Sequence, residues 1–233
     1  MVFKFLKIFS IYLFSISHNC DDPMKFTANG PGALKYLALG DSYTIGEGVE
    51  SHENFPFQLT RVLRRHNFDI ADPAIVATTG WTTTQLLNAV RDFSKKEDKY
   101  GFVTLLIGVN NQYQKKPMDL YRKEFAELLK IAIERAGNIP GNVVIVSIPD
   151  YGVTPFAVSK NPDQIGLEID QYNEIGRTMA LEAGAHYVNV TGISREVKND
   201  SSYLVSDLLH PSAKQYTLWV DRIAEVVLEK ILK

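Results

Sequence analysis

The sequence predicts an α/β protein in which a parallel sheet is covered by helices on both faces. Three observations lead to this prediction: five short apolar runs rich in β-branched residues, amphipathic segments between those runs, and a length that suits one domain. Strands buried on both faces have such continuous apolar runs, and their alternation with helices is typical of parallel sheets. The 45% apolar and 22% charged residues are those of an ordinary globular protein.

The predicted elements alternate regularly along the chain. Short apolar runs indicate the strands, and apolar residues at helical spacing indicate the helices. Ser212 is suited to be the N-cap of the last helix, in which Leu218, Ile223 and Val226 share a helical period. We predict strands at 35–40, 70–77, 102–107, 142–148 and 186–190, and helices at about 54–66, 83–95, 119–136, 166–183 and 212–232.

The first twenty residues differ from the rest and predict a secretory signal. Lys4 and Lys7 flank the start of an apolar stretch at 8–16 that is too short to span a bilayer comfortably. Cys20 is the only cysteine, so it cannot form an internal disulfide. Two interpretations of Cys20 stay open: a lipid-attachment site like that of bacterial lipoproteins, or an incidental position near a signal cleavage site. We therefore expect a secreted or cell-envelope protein, membrane-anchored if Cys20 is lipidated.

The composition of the rest of the chain indicates a tether followed by one domain, and its charge argues against one class of partner. Residues 21–34 are rich in proline and glycine and predict a tether, so we assign 1–20 to a signal segment, 21–34 to the tether and 35–233 to one folded domain. The formal net charge is −2 and there is no basic stripe, which argues against nucleic acid as a partner. The sequence leaves the oligomeric state open.

Polar motifs follow the predicted strands. Asp41-Ser42 ends the first strand, 78–80 follows the second, and 108–111 follows the third, while Asp207 and His210 precede the last helix. Because sites in open parallel sheets form at the carboxyl ends of the strands, we expect these groups to lie together.

These residue types have the chemistry of acyl transfer. A serine hydroxyl is a poor nucleophile until a base takes its proton, and His210 is a candidate base for Ser42. Asp207, three residues earlier, can orient the imidazole through Nδ1–H and leave Nε2 to face Ser42. The candidate oxyanion hole consists of the N–H of Ser42, the N–H of Gly80 and the side-chain amide of Asn110. Taken alone, each residue also has an ordinary explanation as a turn or loop residue.

With these groups in hand, the chain resembles the GDSL, or SGNH, hydrolase family. That family is named for a Ser, a Gly, an Asn and a His in four blocks, which correspond to Ser42, Gly80, Asn110 and His210. The resemblance covers about residues 35–230. It implies a flavodoxin-like three-layer α/β/α sandwich with a five-stranded parallel sheet, and hydrolysis of esters such as acetylated sugars, lysophospholipids, thioesters and short acyl esters.

Two positions depart from the usual blocks of the family. Tyr43 replaces the leucine that follows the serine, and Asn111 replaces the aspartate of the Gly-x-Asn-Asp block. The asparagine assigned to the oxyanion hole is kept as Asn110, so the pattern still implies activity. Asp41, Tyr43, Trp81 and Asn111 adjoin the site and are candidates for lining a substrate pocket, with core packing as the alternative for Tyr43 and Trp81.

We therefore expect a serine-dependent carboxylic ester hydrolase that works through an acyl-enzyme on esters of sugars, lipids or small alcohols, with neither cofactor nor metal. A conventional α/β-hydrolase would need Gly-x-Ser-x-Gly, which 40–44 does not provide. A metallophosphoesterase would need further ligands, such as an early Asp-x-His, and the sequence has none. The remaining alternative is a non-catalytic glycan- or cell-wall-binding module on the same fold.

Overall fold

The computed structural model describes residues 33–93 and 99–233. The predicted signal segment, Cys20 and nearly all of the predicted tether lie outside these residues. The strands are β1 (Tyr36–Gly40), β2 (Ala74–Ala77), β3 (Phe102–Leu106), β4 (Val143–Val146) and β5 (His186–Val188). The helices are α1 (Ser42–Ile45), α2 (Phe55–Arg65), α3 (Thr83–Phe93), α4 (Val109–Tyr113), α5 (Met118–Arg135), α6 (Pro162–Glu182), α7 (Thr191–Arg195) and α8 (Ala213–Val226).

The five strands form one parallel sheet in the order β2-β1-β3-β4-β5, which confirms the predicted fold class. This is the flavodoxin-like order, in which the winding of the chain reverses between β1 and β3. In the register, Leu37 of β1 lies opposite Ala74 of β2 and Val103 of β3. A crevice is therefore expected at the carboxyl ends of β1 and β3, where Asp41 and Ile107 follow the strands.

Helices cover both faces of the sheet and complete the three-layer sandwich. Helix α2 packs against α8, while α3 packs against α5 and α5 against α6, so the long helices form two groups. Asn54 caps α2, and Ser212 caps α8 as predicted. Within the described ranges, none of the helices has both the length and the apolar character needed to cross a membrane.

Most predicted boundaries lie within two residues of the observed ones, and three differ by four residues or more. Strand β2 begins at Ala74 rather than at residue 70, because Pro73 has no N–H for the ladder; Ile70 instead makes an isolated bridge with Leu34. Helix α6 begins four residues early, at Pro162, since proline suits the first helical turn. Helix α8 ends at Val226 and continues as a π-helix over Val227–Ile231.

Candidate active site

The junction of β1 and α1 holds Ser42 at the carboxyl edge of the sheet. Asp41 caps α1, because its Oδ1 accepts a hydrogen bond from the N–H of Tyr43 at 3.1 Å. Ser42 is the first residue of the helix, and its carbonyl accepts the N–H of Gly46. Gly46 has a φ of 84°, a left-handed conformation that favours glycine and ends the helix after one turn. Ser42 is thus fixed between a buried strand and a short helix.

His210 lies within hydrogen-bonding reach of both predicted partners. Its Nε2 is 2.9 Å from Oγ of Ser42, and its Nδ1 is 2.6 Å from Oδ2 of Asp207. An ionised carboxylate only accepts hydrogen bonds, so Nδ1 carries the proton and Nε2 is left to accept from the serine hydroxyl. The ring of Tyr43 contacts the imidazole edge-on, with the ring centres 5.6 Å apart. The imidazole is therefore held in the tautomer that a general base requires.

The turn over residues 207–210 shapes this arrangement. Oδ1 of Asp207 accepts the backbone N–H groups of Leu209 at 2.8 Å and of His210 at 2.9 Å. Leu208 completes the turn with a φ of 60°. Partial burial raises the pKa of the Asp207 carboxyl, but the hydrogen bonds from the His210 ring and from the two backbone N–H groups outweigh this and leave it below its usual value. The carboxyl is therefore ionised at neutral pH.

Gly80 and Asn110 line the same cavity as Ser42 and His210. Gly80 has a φ of 82°, and among the described residues other than its chain neighbours no atom lies within 4 Å of an added Cβ, so the side of the backbone where a side chain would stand is open. The Nδ2 of Asn110 donates to the carbonyl of Trp81 at 3.0 Å, which fixes the amide and leaves its second N–H. The structure thus brings together all five residues that the sequence assigned to the triad and the oxyanion hole.

The cavity at this site has a volume of about 160 Å³ and mainly apolar walls. Three aromatic rings form one wall, with the ring centre of Tyr113 6.1 Å from those of Tyr151 and Phe156. These rings were not identified from the sequence, because no motif marks them. Tyr151 and Phe156 follow β4, so the rule that loops after parallel strands meet at one edge could have found them. The other lining residues are Tyr43, Thr79, Val109 and Leu209.

Three of the four residues proposed to line the pocket lie outside this cavity, and only Tyr43 lines it. Asn111 is fully buried and braces α3: its Oδ1 accepts the N–H of Thr83 at 2.9 Å, and its Nδ2 donates to the Thr83 hydroxyl at 2.7 Å. Trp81 packs against the hydrophobic core. Asp41 is fully buried as the cap of α1. Each side chain has a structural role that turns it away from the pocket.

Asp41 stands in an unusual electrostatic environment. Its Oδ1 caps α1, whereas its buried Oδ2 has no hydrogen-bond partner among the described residues. Burial raises the pKa of this carboxyl to about 7, against the smaller opposing effect of its hydrogen bond with Tyr43. Within residues 33–93 and 99–233, no group of three or more His, Cys, Asp or Glu side chains is arranged to hold a metal ion.

A parallel α/β/α sandwich with hydrogen-bonded Ser, His and Asp side chains at its switch-point edge has the architecture of a hydrolase. The match to a family profile is more specific: residues 38–218 match the GDSL-like lipase/acylhydrolase family. The chain therefore belongs to the GDSL-like lipase/acylhydrolase family, whose members hydrolyse esters. No curated protein matches the chain in sequence.

Solved structures show the same fold at low sequence identity. A psychrotrophic esterase from Pseudoalteromonas sp. is 16% identical, with a TM-score of 0.63 over 85% of this chain and 99% of that chain. A G-D-S-L lipolytic protein from Veillonella parvula is 18% identical, with a TM-score of 0.65 over 84% and 100%. An acetyl xylan esterase from Geobacillus stearothermophilus is 18% identical, with a TM-score of 0.60 over 86% and 97%.

Proposed function

We propose that the protein is a serine esterase that hydrolyses carboxylic esters through an acyl-enzyme. The observation that carries the proposal is the unbroken hydrogen-bonded series from Ser42 through His210 to Asp207, with distances of 2.9 Å and 2.6 Å. A nucleophile, a base and a group that orients the base have the geometry expected for acyl transfer. Membership in a lipase/acylhydrolase family supports the same chemistry.

The first half-reaction acylates Ser42. His210 Nε2 accepts the hydroxyl proton while Oγ forms a bond to the ester carbonyl carbon, and Asp207 stabilises the resulting imidazolium. The N–H groups of Ser42 and Gly80 and the amide of Asn110 donate to the oxyanion of the tetrahedral intermediate. As the bond from carbon to the alkoxy oxygen breaks, the imidazolium gives its proton to the departing alcohol.

The second half-reaction releases the acid. His210 takes a proton from water, the hydroxide oxygen bonds to the acyl carbon, and the bond to Ser42 Oγ breaks. The proton then returns from the imidazolium to Oγ, and the free enzyme is restored. Water is the only other reactant: its oxygen enters the product acid, and the proton that it gives to His210 replaces the one that Ser42 lost to the alcohol.

The cavity suits a small substituent of the ester. Its volume of about 160 Å³ is close to the ~150 Å³ of an engineered apolar cavity that holds benzene. We therefore infer that it takes a short acyl group, and acetyl esters are the simplest case. Structural neighbours described as acetyl xylan esterases agree with this inference. A series of p-nitrophenyl esters from acetate to octanoate tests it, with kcat/KM expected to fall at the longer chains.

Replacing Ser42 by alanine tests the mechanism. The Ser42→Ala variant is expected to keep its circular dichroism spectrum and to lose p-nitrophenyl acetate hydrolysis by about 10⁴-fold or more. Ser159, exposed and outside the cavity, provides the matched control Ser159→Ala, which should keep wild-type activity. Wild-type hydrolysis rates in Ser42→Ala would refute the assignment.

A fluorophosphonate probe separates an enzyme from a non-catalytic binding module. One structural neighbour, the esterase from Pseudoalteromonas sp., is described as inhibited by monoethylphosphonate. The probe is expected to label the wild-type protein and Ser159→Ala once per chain, at Ser42, and to leave Ser42→Ala unlabelled. Absence of labelling in the wild type would favour the binding module.

A further inference from the structure

A second and larger cavity opens beside the catalytic one, with a volume of about 940 Å³. It lies between the end of α4 and the first turns of α5 and α6. Tyr113 and Tyr151 line both cavities, so the two are neighbours across one aromatic wall. An ester bound at Ser42 therefore has this surface available for the rest of the substrate. The α4–α6 groove, as we name it, is lined chiefly by Gln112, Lys115, Lys116, Lys160, Gln164 and Glu168.

The α4–α6 groove carries an excess of positive charge. Three of its lining side chains are lysines, at 115, 116 and 160, and among the described residues Glu168 is the one acidic residue that lines it. Glu168 accepts hydrogen bonds from the amides of Gln112 at 2.6 Å and Gln164 at 2.8 Å. Within the part of the chain that the structure describes, none of the three ammonium groups has a carboxylate within ion-pair distance. All three lysines are solvent-exposed; the charge of Lys115, after the hydrogen bonds from Gln112 and Gln164, also helps to lower the pKa of the Glu168 carboxyl, so Lys116 and Lys160 are the more available to a ligand.

Lys160 connects this charge to the catalytic cavity. Its Nζ lies 4.9 Å from the ring centre of Phe156 and 5.7 Å from that of Tyr113. Both rings also form the wall of the cavity that holds Ser42. The cation–π contacts hold the ammonium over the shared wall while leaving its hydrogen-bond donors to other partners. A substrate bound in the cavity therefore lies close to the positive charge of Lys160.

We propose that the α4–α6 groove is a subsite for an anionic group of the ester substrate, either a carboxylate or a phosphate. The proposal rests on the serine esterase function and adds the chemical class of its substrate: an ester whose polar part carries negative charge. Lys160 binds the anion nearest the aromatic wall, and Lys115 and Lys116 extend the positive surface. Lysine ammonium groups suit this role because they present a compact charge with three donors to an anion.

Matched pairs of substrates test the proposal and separate the two sources of the anion. The carboxylate pair is acetylated oligogalacturonide against acetylated xylo-oligosaccharide, and the phosphate pair is a short-chain lysophosphatidic acid against the monoacylglycerol of the same chain. The variants are Lys160→Gln, Lys160→Arg and the double variant Lys115→Gln/Lys116→Gln. Lys230→Gln is the control, since it removes the same charge from an exposed position outside both cavities.

The wild type is expected to prefer the anionic member of one pair, and that pair identifies the source. Lys160→Gln should lower kcat/KM on this ester about tenfold more than on its neutral counterpart, the typical loss of one hydrogen bond to a charged group. Lys160→Arg should restore most of the preference, and the double variant should weaken it. The preference should shrink between about 0.01 M and 1 M salt, as the Debye length falls from about 30 Å to 3 Å.

Three results would overturn the proposal. These are no preference for either anionic ester, an equal loss on anionic and neutral esters in Lys160→Gln, and an equal effect of Lys230→Gln. In each case, hydrolysis of neutral p-nitrophenyl acetate is measured separately and reports on the esterase function without involving the anionic subsite. Persistent hydrolysis of that ester would keep the serine esterase function while removing the anionic subsite.

Discussion

Two aspartates flank the catalytic pair, and their surroundings shift their pKa values in opposite directions. Asp207 is partly exposed and accepts hydrogen bonds from the His210 ring and from two backbone N–H groups, which together leave its pKa low. Asp41 is fully buried, one of its oxygens has no hydrogen-bond partner in the described part of the chain, and burial raises its pKa to about 7. The charge that catalysis requires therefore lies on the carboxylate beside His210, while the buried carboxyl next to Ser42 keeps its proton up to a pH of about 7.

The raised pKa of Asp41 predicts a pH-dependent gain in stability for Asp41→Asn. In the unfolded chain this carboxyl titrates near 3.8, so between that pH and about 7 the folded protein holds a proton that the unfolded chain has lost. The free energy of unfolding of the wild type therefore falls as pH rises through this window. Relative to the wild type, Asp41→Asn should gain on the order of 2 kcal/mol between about pH 5 and pH 8.

Urea unfolding of the wild type and of Asp41→Asn at several pH values measures the difference in their free energies of unfolding. The other titrating groups are the same in both proteins, so their contributions cancel in this difference. Asparagine keeps an oxygen to accept the N–H of Tyr43, so the cap of α1 is preserved. Burial raises the pKa values of the neighbouring Tyr43 and Tyr216 well above their usual range, so neither phenol ionises in this window. A difference in unfolding free energy that stays constant across the pH range would contradict the prediction.

At the scale of secondary-structure elements, Gly40 determines how closely the ends of β1 and β3 approach. A Cβ at this position would lie 2.6 Å from the carbonyl oxygen of Leu106 and would collide with the Thr44 side chain. We expect Gly40→Ala to lower the free energy of unfolding by about 1–3 kcal/mol, as for other overpacked sites. Because Ser42 follows two residues later, kcat on p-nitrophenyl acetate should fall as well.

Gly192 supplies the matched control for this substitution. It lies in α7, and a Cβ there would meet no atom within 4 Å. Gly192→Ala should leave activity unchanged and add up to about 1 kcal/mol of stability through helix propensity. Chemical denaturation of the three proteins measures the effect, and equal stabilities for Gly40→Ala and the wild type would disprove the steric argument.

Elements that are marked by a short sequence pattern could be predicted from the sequence, whereas features that depend on tertiary contacts could not. The five strands are visible as apolar runs, and the motif residues Ser42 and His210 follow from chemistry and from their position at strand ends. The start of β2 was placed too early because Ile70 and Ala71 were joined to the apolar run at 74–77, although Asp72 and Pro73 separate them and the ladder begins only at Ala74. Asn111 was assigned to the pocket because it neighbours Asn110, yet successive residues of α4 point in different directions.

No motif marks the walls of the catalytic site, and the only sequence signal for Tyr151 and Phe156 is their position after β4. Tyr113 comes from α4, whereas Tyr151 and Phe156 come from the segment after β4. No spacing links these positions, and only the folded chain brings their rings within 6.4 Å of one another. The same holds for Lys160, which becomes a candidate for substrate binding only once its ammonium is seen over two of these rings.

At the scale of the whole molecule, the site joins the two ends of the folded domain. Ser42 and His210 are 168 residues apart, and the turn that carries His210 leads directly into α8. Helix α8 packs on α2, and the Tyr216 hydroxyl donates to the carbonyl of Tyr43 at 3.1 Å. Trp219 is fully buried beneath this junction, with its ring centre 5.1 Å from that of Tyr216. The base therefore stays in place through core packing rather than through local contacts alone.

Because the position of His210 depends on the packing of α8, we predict that activity and the packing of the core are lost together on unfolding. The chain has two tryptophans, so Trp81→Phe leaves the fluorescence of Trp219 as a reporter on α8 and keeps the backbone carbonyl that Asn110 uses. We expect p-nitrophenyl acetate hydrolysis and Trp219 fluorescence to share one urea midpoint, because His210 directly precedes α8 and a small single domain usually unfolds as one cooperative unit. Activity lost at clearly lower urea than the fluorescence would instead show that the 207–210 turn opens by itself as a local unfolding unit.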